Sequence, residues 1–140
     1  MRVVLDTNVF ISGVFFRGAP YEILGAWRDG RVDIMLSPAV FAEYHRVGQE
    51  LARGFPGVAL APLLELLLAK GKFVEPAGLS RQVCEDPDDD KFLACALTAR
   101  CRVIVSGDKH LIRVTGYRGI QVIRPRRFVE QYLSGRSLPK

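Results

Sequence analysis

Short apolar, β-branched runs alternate with longer helical patterns along this chain, and that alternation constrains the fold more than any other feature. Residues 3–5, 33–36, 72–74, 103–105 and 121–123 read as strands. Several are near-continuous apolar runs, the signature of parallel strands buried on both faces. Between them, helices are predicted at 20–28, 38–53, 60–70, 88–100, 109–113 and 126–133. Ser37-Pro38 places a capping hydroxyl before proline at the first helical position, and Asp29-Gly30 stops the preceding helix. The pattern predicts an α/β fold: a three-layer α/β/α sandwich with a mainly parallel central sheet.

At 140 residues the chain is expected to form a single domain over 1–133, followed by a tail at 134–140. A domain of about this size buries roughly two-thirds of its unfolded surface and needs no disulfide staples. Cys84, Cys95 and Cys101 fit that expectation. They are odd in number, lack a CxxC spacing, and read as reduced structural thiols. No apolar run reaches the ~18 residues of a membrane span, since Glu65 interrupts Leu63–Ala69. Met1-Arg2 leads directly into the first strand, with no apolar leader segment, so a cytoplasmic location is expected. The net charge of +5 suits a polyanionic partner such as nucleic acid, although the same surplus also serves solubility.

Four acidic stations stand at the edges of these elements. Asp6 leaves the first strand in Asp6-Thr7-Asn8; as a bland alternative, Asp6 or Asn8 caps a helix before Val9-Phe10-Ile11. Glu43 shares a helical face with Val40 and Val47, where a carboxylate is costly unless paired. Arg46 offers it a salt bridge. Asp86-Pro87-Asp88-Asp89-Asp90 opens a further helix, and Asp88 reads as its cap. Three or more acids there exceed what capping requires. Asp108 follows the fourth strand in Ser106-Gly107-Asp108, ahead of Lys109 and His110, and can itself cap a helix.

Each acid has a bland explanation; all of them at strand and helix edges together are harder to explain that way. Ligand crevices in α/β folds lie at the carboxyl ends of strands. Carboxylates gathered there repel each other unless they share protons or bind a cation, and hard oxygen donors favour Mg²⁺ or Mn²⁺. Two-metal phosphate chemistry explains the set. Thr7, Asn8 and Ser106 are placed to support the acids or a bound water, and Lys109 to meet a phosphate. His45 and His110 lack a partner motif for nucleophilic catalysis, and neither a P-loop nor a GxGxxG is present.

Val3-Val4-Leu5-Asp6-Thr7-Asn8-Val9-Phe10-Ile11-Ser12-Gly13, Ser37-Pro38-Ala39-Val40-Phe41-Ala42-Glu43, Asp86–Leu93 and Val105-Ser106-Gly107-Asp108 resemble, in order, the motifs of the PIN domain. The likeness runs to about Arg126 and is nearest the toxin components of bacterial and archaeal toxin–antitoxin pairs. It implies a Mg²⁺- or Mn²⁺-dependent endoribonuclease cleaving single-stranded RNA, with Asp6, Glu43, Asp90 and Asp108 as the acidic quartet. One departure matters. Relatives often carry asparagine at the position of Asp90 with an acid just before it, which leaves Asp89 as a ligand in place of, or beside, Asp90. The resemblance further implies a homodimer and an inhibitory antitoxin whose tail enters the acidic pocket.

Two other functions compete. An RNA-binding module would use the basic surplus for binding and the acids as caps and salt bridges. An aspartate-nucleophile phosphotransferase would attack phosphate with Asp6, but the second aspartate it needs two residues on is Asn8 here.

Overall fold

A computed structural model describes residues 1–134. The expected tail over 134–140 lies, apart from Ser134, outside the described residues. The elements are β1 (Arg2–Leu5), α1 (Thr7–Phe15), α2 (Ala19–Arg28), β2 (Asp33–Leu36), α3 (Pro38–Ala52), α4 (Leu60–Lys70), β3 (Lys72–Phe73), α5 (Asp90–Thr98), β4 (Val103–Val105), α6 (Lys109–Ile112), β5 (Gln121–Ile123) and α7 (Pro125–Phe128). A 3-10 turn at Pro87–Asp89 leads into α5, and a π-type turn at Val129–Leu133 follows α7.

The five strands form one sheet in the order β3-β2-β1-β4-β5, and every pairing is parallel. The α/β class and the parallel sheet expected from the sequence are present. The chain builds outward from β1 to β2 and β3, then crosses over and builds β4 and β5 on the other side. The order therefore reverses between β1 and β4, and such a reversal opens a crevice at the carboxyl ends of the two strands. Leu5 pairs with Val105 at that end, so Asp6 and Ser106 emerge side by side. The Asp6 amide donates to the Val105 carbonyl at 3.0 Å.

The fold differs from the sequence reading at α1. Thr7–Phe15 is a helix missing from the predicted set, although the capping alternative for Asp6 points to one there, and it packs against α2 and α3. Gly13 permits the close approach to α2: a Cβ there would stand 2.7 Å from the Pro20 carbonyl oxygen. The predicted helix at 88–100 divides into the 3-10 turn and α5, because Asp86 rather than Asp88 caps it, accepting from the Asp88 amide at 3.0 Å.

Trp27, Phe10, Tyr44, Phe92 and Phe128 are fully buried. Burying side chains of this size contributes roughly 2–3 kcal/mol each. Phe10 of α1 stacks on Tyr44 of α3, with ring centroids 4.5 Å apart and planes 6° from parallel. The Tyr44 hydroxyl then donates to the Leu5 carbonyl at 2.5 Å, fixing the end of β1 just before Asp6. Cys84, Cys95 and Cys101 are free and buried, and burial raises all three thiol pKa values.

Candidate active site

Asp6 is nearly buried, at 4% exposure, and its two oxygens do different jobs. Oδ1 caps α1, accepting from the Val9 amide at 3.0 Å. Oδ2 accepts from the hydroxyl of fully buried Ser106. Ser106 Oγ in turn accepts from the Asp108 amide at 2.9 Å. Asp108 repeats the capping pattern, its Oδ1 accepting from the His110 amide at 3.0 Å. Helix capping and site-building are thus combined in the same side chains, each spending one oxygen on the cap. Burial pushes the Asp6 carboxyl upward, Ser106 and Val9 pull it down, and the charge of Asp108 adds to the upward push; the net direction is up.

The aspartate run divides its labour. Asp90 turns away from solvent to clasp the preceding loop, its Oδ2 accepting from the Val83 amide at 2.9 Å and its Oδ1 from the Cys84 amide at 2.7 Å. Asp89 Oδ2 is buried and receives no donor. Burial, the charges of Asp108 and Asp86, and a hydrogen bond shared with Asp108 push the Asp89 carboxyl up to about 6. Two carboxylates so placed need either a proton or a cation between them.

Glu43 is paired with a cation. Its Oε2 accepts from Thr7 Oγ1 at 2.5 Å, and its Oε1 lies 2.5 Å from Lys91 Nζ. The Arg46 bridge expected from helical spacing does not form; Arg46 lies 3.9 Å from Glu50 instead, with both side chains exposed. Lys91 also reaches Asp88 Oδ2 at 3.0 Å and the Asp88 carbonyl at 2.9 Å. Burial alone would lower the Lys91 pKa, but Glu43 and Asp88 outweigh it and the net direction is up. Lys91 also draws the Asp88 carboxyl down.

Lys91 was missed in the sequence because its partner sits on another helix; the only local signal was an acid three residues earlier. Among the supporting residues, Thr7 holds Glu43, and Ser106 ties Asp6 to Asp108. Asn8 and Lys109 are exposed. His110 Nδ1 stands 3.1 Å from Glu85 Oε1 but makes no hydrogen bond.

Among the described residues, no three His, Cys, Asp or Glu side chains already stand as a metal-binding group. The donors nevertheless suit a hard divalent ion. Asp89 presents a buried oxygen without a donor, Asp108 faces it as a like charge, and Ser106 connects that pair to Asp6. A mostly apolar hollow of about 600 Å³, lined by Pro38, Pro76, Leu79 and Ala94, adjoins Asp90 and Lys91.

Among the described residues, no helix is long and apolar enough to cross a membrane. The uncharacterized protein MJ1680 of Methanocaldococcus jannaschii is 26% identical over 144 residues, covering 94% of this chain and 92% of that protein. The PIN domain matches residues 2–110, a span that includes every acidic station. PIN domains are generally metal-dependent nucleases. A match over that much of the sequence, on a parallel sheet with acids at its switch point, makes this chain a member of the PIN domain family.

Proposed function

We propose that this protein is a Mg²⁺- or Mn²⁺-dependent endoribonuclease acting on single-stranded RNA, and that it serves as the toxin of a toxin–antitoxin pair. The observation that carries the reading is the Asp89–Asp108 pair, with its donorless buried oxygen, joined through Ser106 to Asp6 at the carboxyl ends of β1 and β4. In this reading Asp6, Asp89 and Asp108 hold the ion, while Asp90 shapes the site by clasping the 83–84 loop. A bound divalent ion supplies an activated water and offsets charge on the leaving oxygen. Ser106 holds two acids in register, and Thr7 orients Glu43. The net charge of +5 favours approach of a polyanion despite the local acids.

The toxin role, the homodimer and the protein antitoxin rest on the order of the motifs and on family membership. Expression of the parent should arrest growth, and co-expression of a short neighbouring reading frame should relieve it.

The nuclease reading is tested by incubating a mixed single-stranded RNA pool with Mn²⁺, Mg²⁺ or EDTA and mapping the ends. Cleavage is expected with either metal and none with EDTA. Asp6→Asn should abolish cleavage while the protein stays folded. Binding of RNA that is insensitive to metal and leaves it intact would instead make the protein an RNA-binding module.

A further inference from the structure

We infer that Lys91 is a resident cation of the acidic centre, occupying the place at Glu43 where a second divalent ion would sit. The inference rests on the metal-dependent reading above and deepens it: the centre takes one ion, at Asp6, Asp89 and Asp108, instead of two.

The geometry at Glu43 leads there. Asp6 meets only neutral donors, from Val9 and Ser106, whereas Glu43 has a cation: its Oε2 accepts from the Thr7 hydroxyl and its Oε1 meets the Lys91 ammonium, each at 2.5 Å. Lys91 is no loose surface charge. Its side chain is only 15% exposed, and it makes further contacts of 3.0 Å and 2.9 Å to the side chain and carbonyl of Asp88. Three oxygens from two elements therefore surround one ammonium. A divalent ion arriving at Glu43 would have to displace this cation and leave a lysine in a pocket that is mostly closed, a costly exchange. The other half of the centre is built differently. Among the described residues, no salt bridge reaches Asp89 or Asp108, Lys91 acts on Asp89 only as the smallest of its influences, and Asp89 keeps an oxygen without a donor. One end is supplied with positive charge by the chain itself, and the other lacks it. A fixed ammonium offers developing negative charge on a phosphate the electrostatic service of a second ion, without having to be recruited from solution.

The test is the number of Mn²⁺ ions bound per chain, measured by equilibrium dialysis with metal analysis and, independently, by the loss of the free Mn²⁺ paramagnetic resonance signal. One ion is expected for the parent and for Lys91→Arg, and two for Lys91→Met, the second weaker. Glu43→Gln should leave the first ion's Kd within about threefold, because Glu43 is not its ligand. Two ions in the parent, one in a folded Lys91→Met, or a tenfold or greater weakening in Glu43→Gln would each overturn the inference. Should Lys91→Met fail to fold, Glu43→Gln and the parent stoichiometry decide the matter. Cleavage that proceeds with two ions bound would leave the nuclease reading standing and remove only the role of Lys91. No binding and no metal-dependent cleavage would remove both.

Discussion

Ser106 donates its hydroxyl hydrogen to Asp6 across 100 residues of sequence, and in doing so links the ends of β1 and β4. The same oxygen accepts from the Asp108 amide, so one fully buried hydroxyl holds two acids in register. Ser106→Ala should remove both bonds and leave Asp6 Oδ2 buried without a donor. The expected loss is about 2 kcal/mol, the scale for stranding a buried polar partner. The Asp6 carboxyl should also move further up, since Ser106 is the main influence holding it down. Denaturant unfolding of parent and variant measures the first effect. A cleavage profile shifted to higher pH shows the second. A variant as stable as the parent would mean the hydroxyl contributes little.

Asp89 sets a conflict between stability and metal binding. Its folded-state pKa of about 6 lies above the ordinary carboxylate value of 3.8. The folded protein therefore holds an extra proton between those values. Metal-free stability should fall as the pH rises from about 4 to about 6, then level off. Asp89 is partly exposed, so screening reduces the effect to about 1 kcal/mol. Asp89→Asn should abolish that slope and be about 1 kcal/mol more stable than the parent near neutral pH, while Mn²⁺ affinity drops tenfold or more. Unfolding in EDTA across this pH range, paired with Mn²⁺ titration above it, checks both. An Asn variant that is less stable at neutral pH would show that Asp89 has a partner other than like charge.

The strands were legible because apolar β-branched runs bounded by turn residues have few other uses in a chain of this length. The run 33–36 coincides with β2, and 103–105 with β4. Helix α1 is absent from the predicted helices, although the capping alternative for Asp6 before Val9-Phe10-Ile11 points to it. Its cap is local, from Asp6, but its packing is tertiary: Phe10 finds Tyr44, and Gly13 fits against Pro20. The acids were visible one by one, but their partners were not. Helical spacing pointed Glu43 to Arg46, whereas the folded chain brings it Thr7 and Lys91 from other elements. Asp89 and Asp90 are adjacent and chemically identical. Only the position of the 83–84 loop distinguishes the clasp from the open carboxylate.

That clasp has its own consequence. Asp90 accepts two backbone amides, from Val83 and from Cys84, a buried residue whose thiol is pushed up to about 12 by burial and by Asp90. Asp90→Ala should cost about 2 kcal/mol, the scale for hydrogen bonds to a charged acceptor. It should also loosen the loop enough for Cys84 to react with a thiol reagent in the native state. Labelling rates followed by mass mapping would locate the reaction. Equal rates in parent and variant would show that the loop is held by its other contacts.

Gly13 gives the sharpest packing prediction. It lies inside α1, where alanine would ordinarily stabilise by roughly 1 kcal/mol relative to glycine. Here an added Cβ would meet the Pro20 carbonyl oxygen at 2.7 Å and Leu24 side-chain carbons at 2.8 and 2.9 Å. Leu24 is fully buried, and the nearest atom belongs to the backbone, so neither neighbour can easily yield. Overpacking of this kind costs about 1–3 kcal/mol, which outweighs the propensity gain. Gly13→Ala should therefore destabilise the protein even though it improves local helix propensity. Because α1 begins at the Asp6 cap, a forced shift of the helix should also disturb the acids and lower Mn²⁺ affinity. Gly25→Ala is the matching control: it is also helical, on α2, but beyond the local helix backbone nothing would lie within 4 Å of its Cβ. Thermal unfolding of the two variants should show opposite signs. Stabilisation by both would mean that the α1–α2 contact gives way more readily than these distances imply.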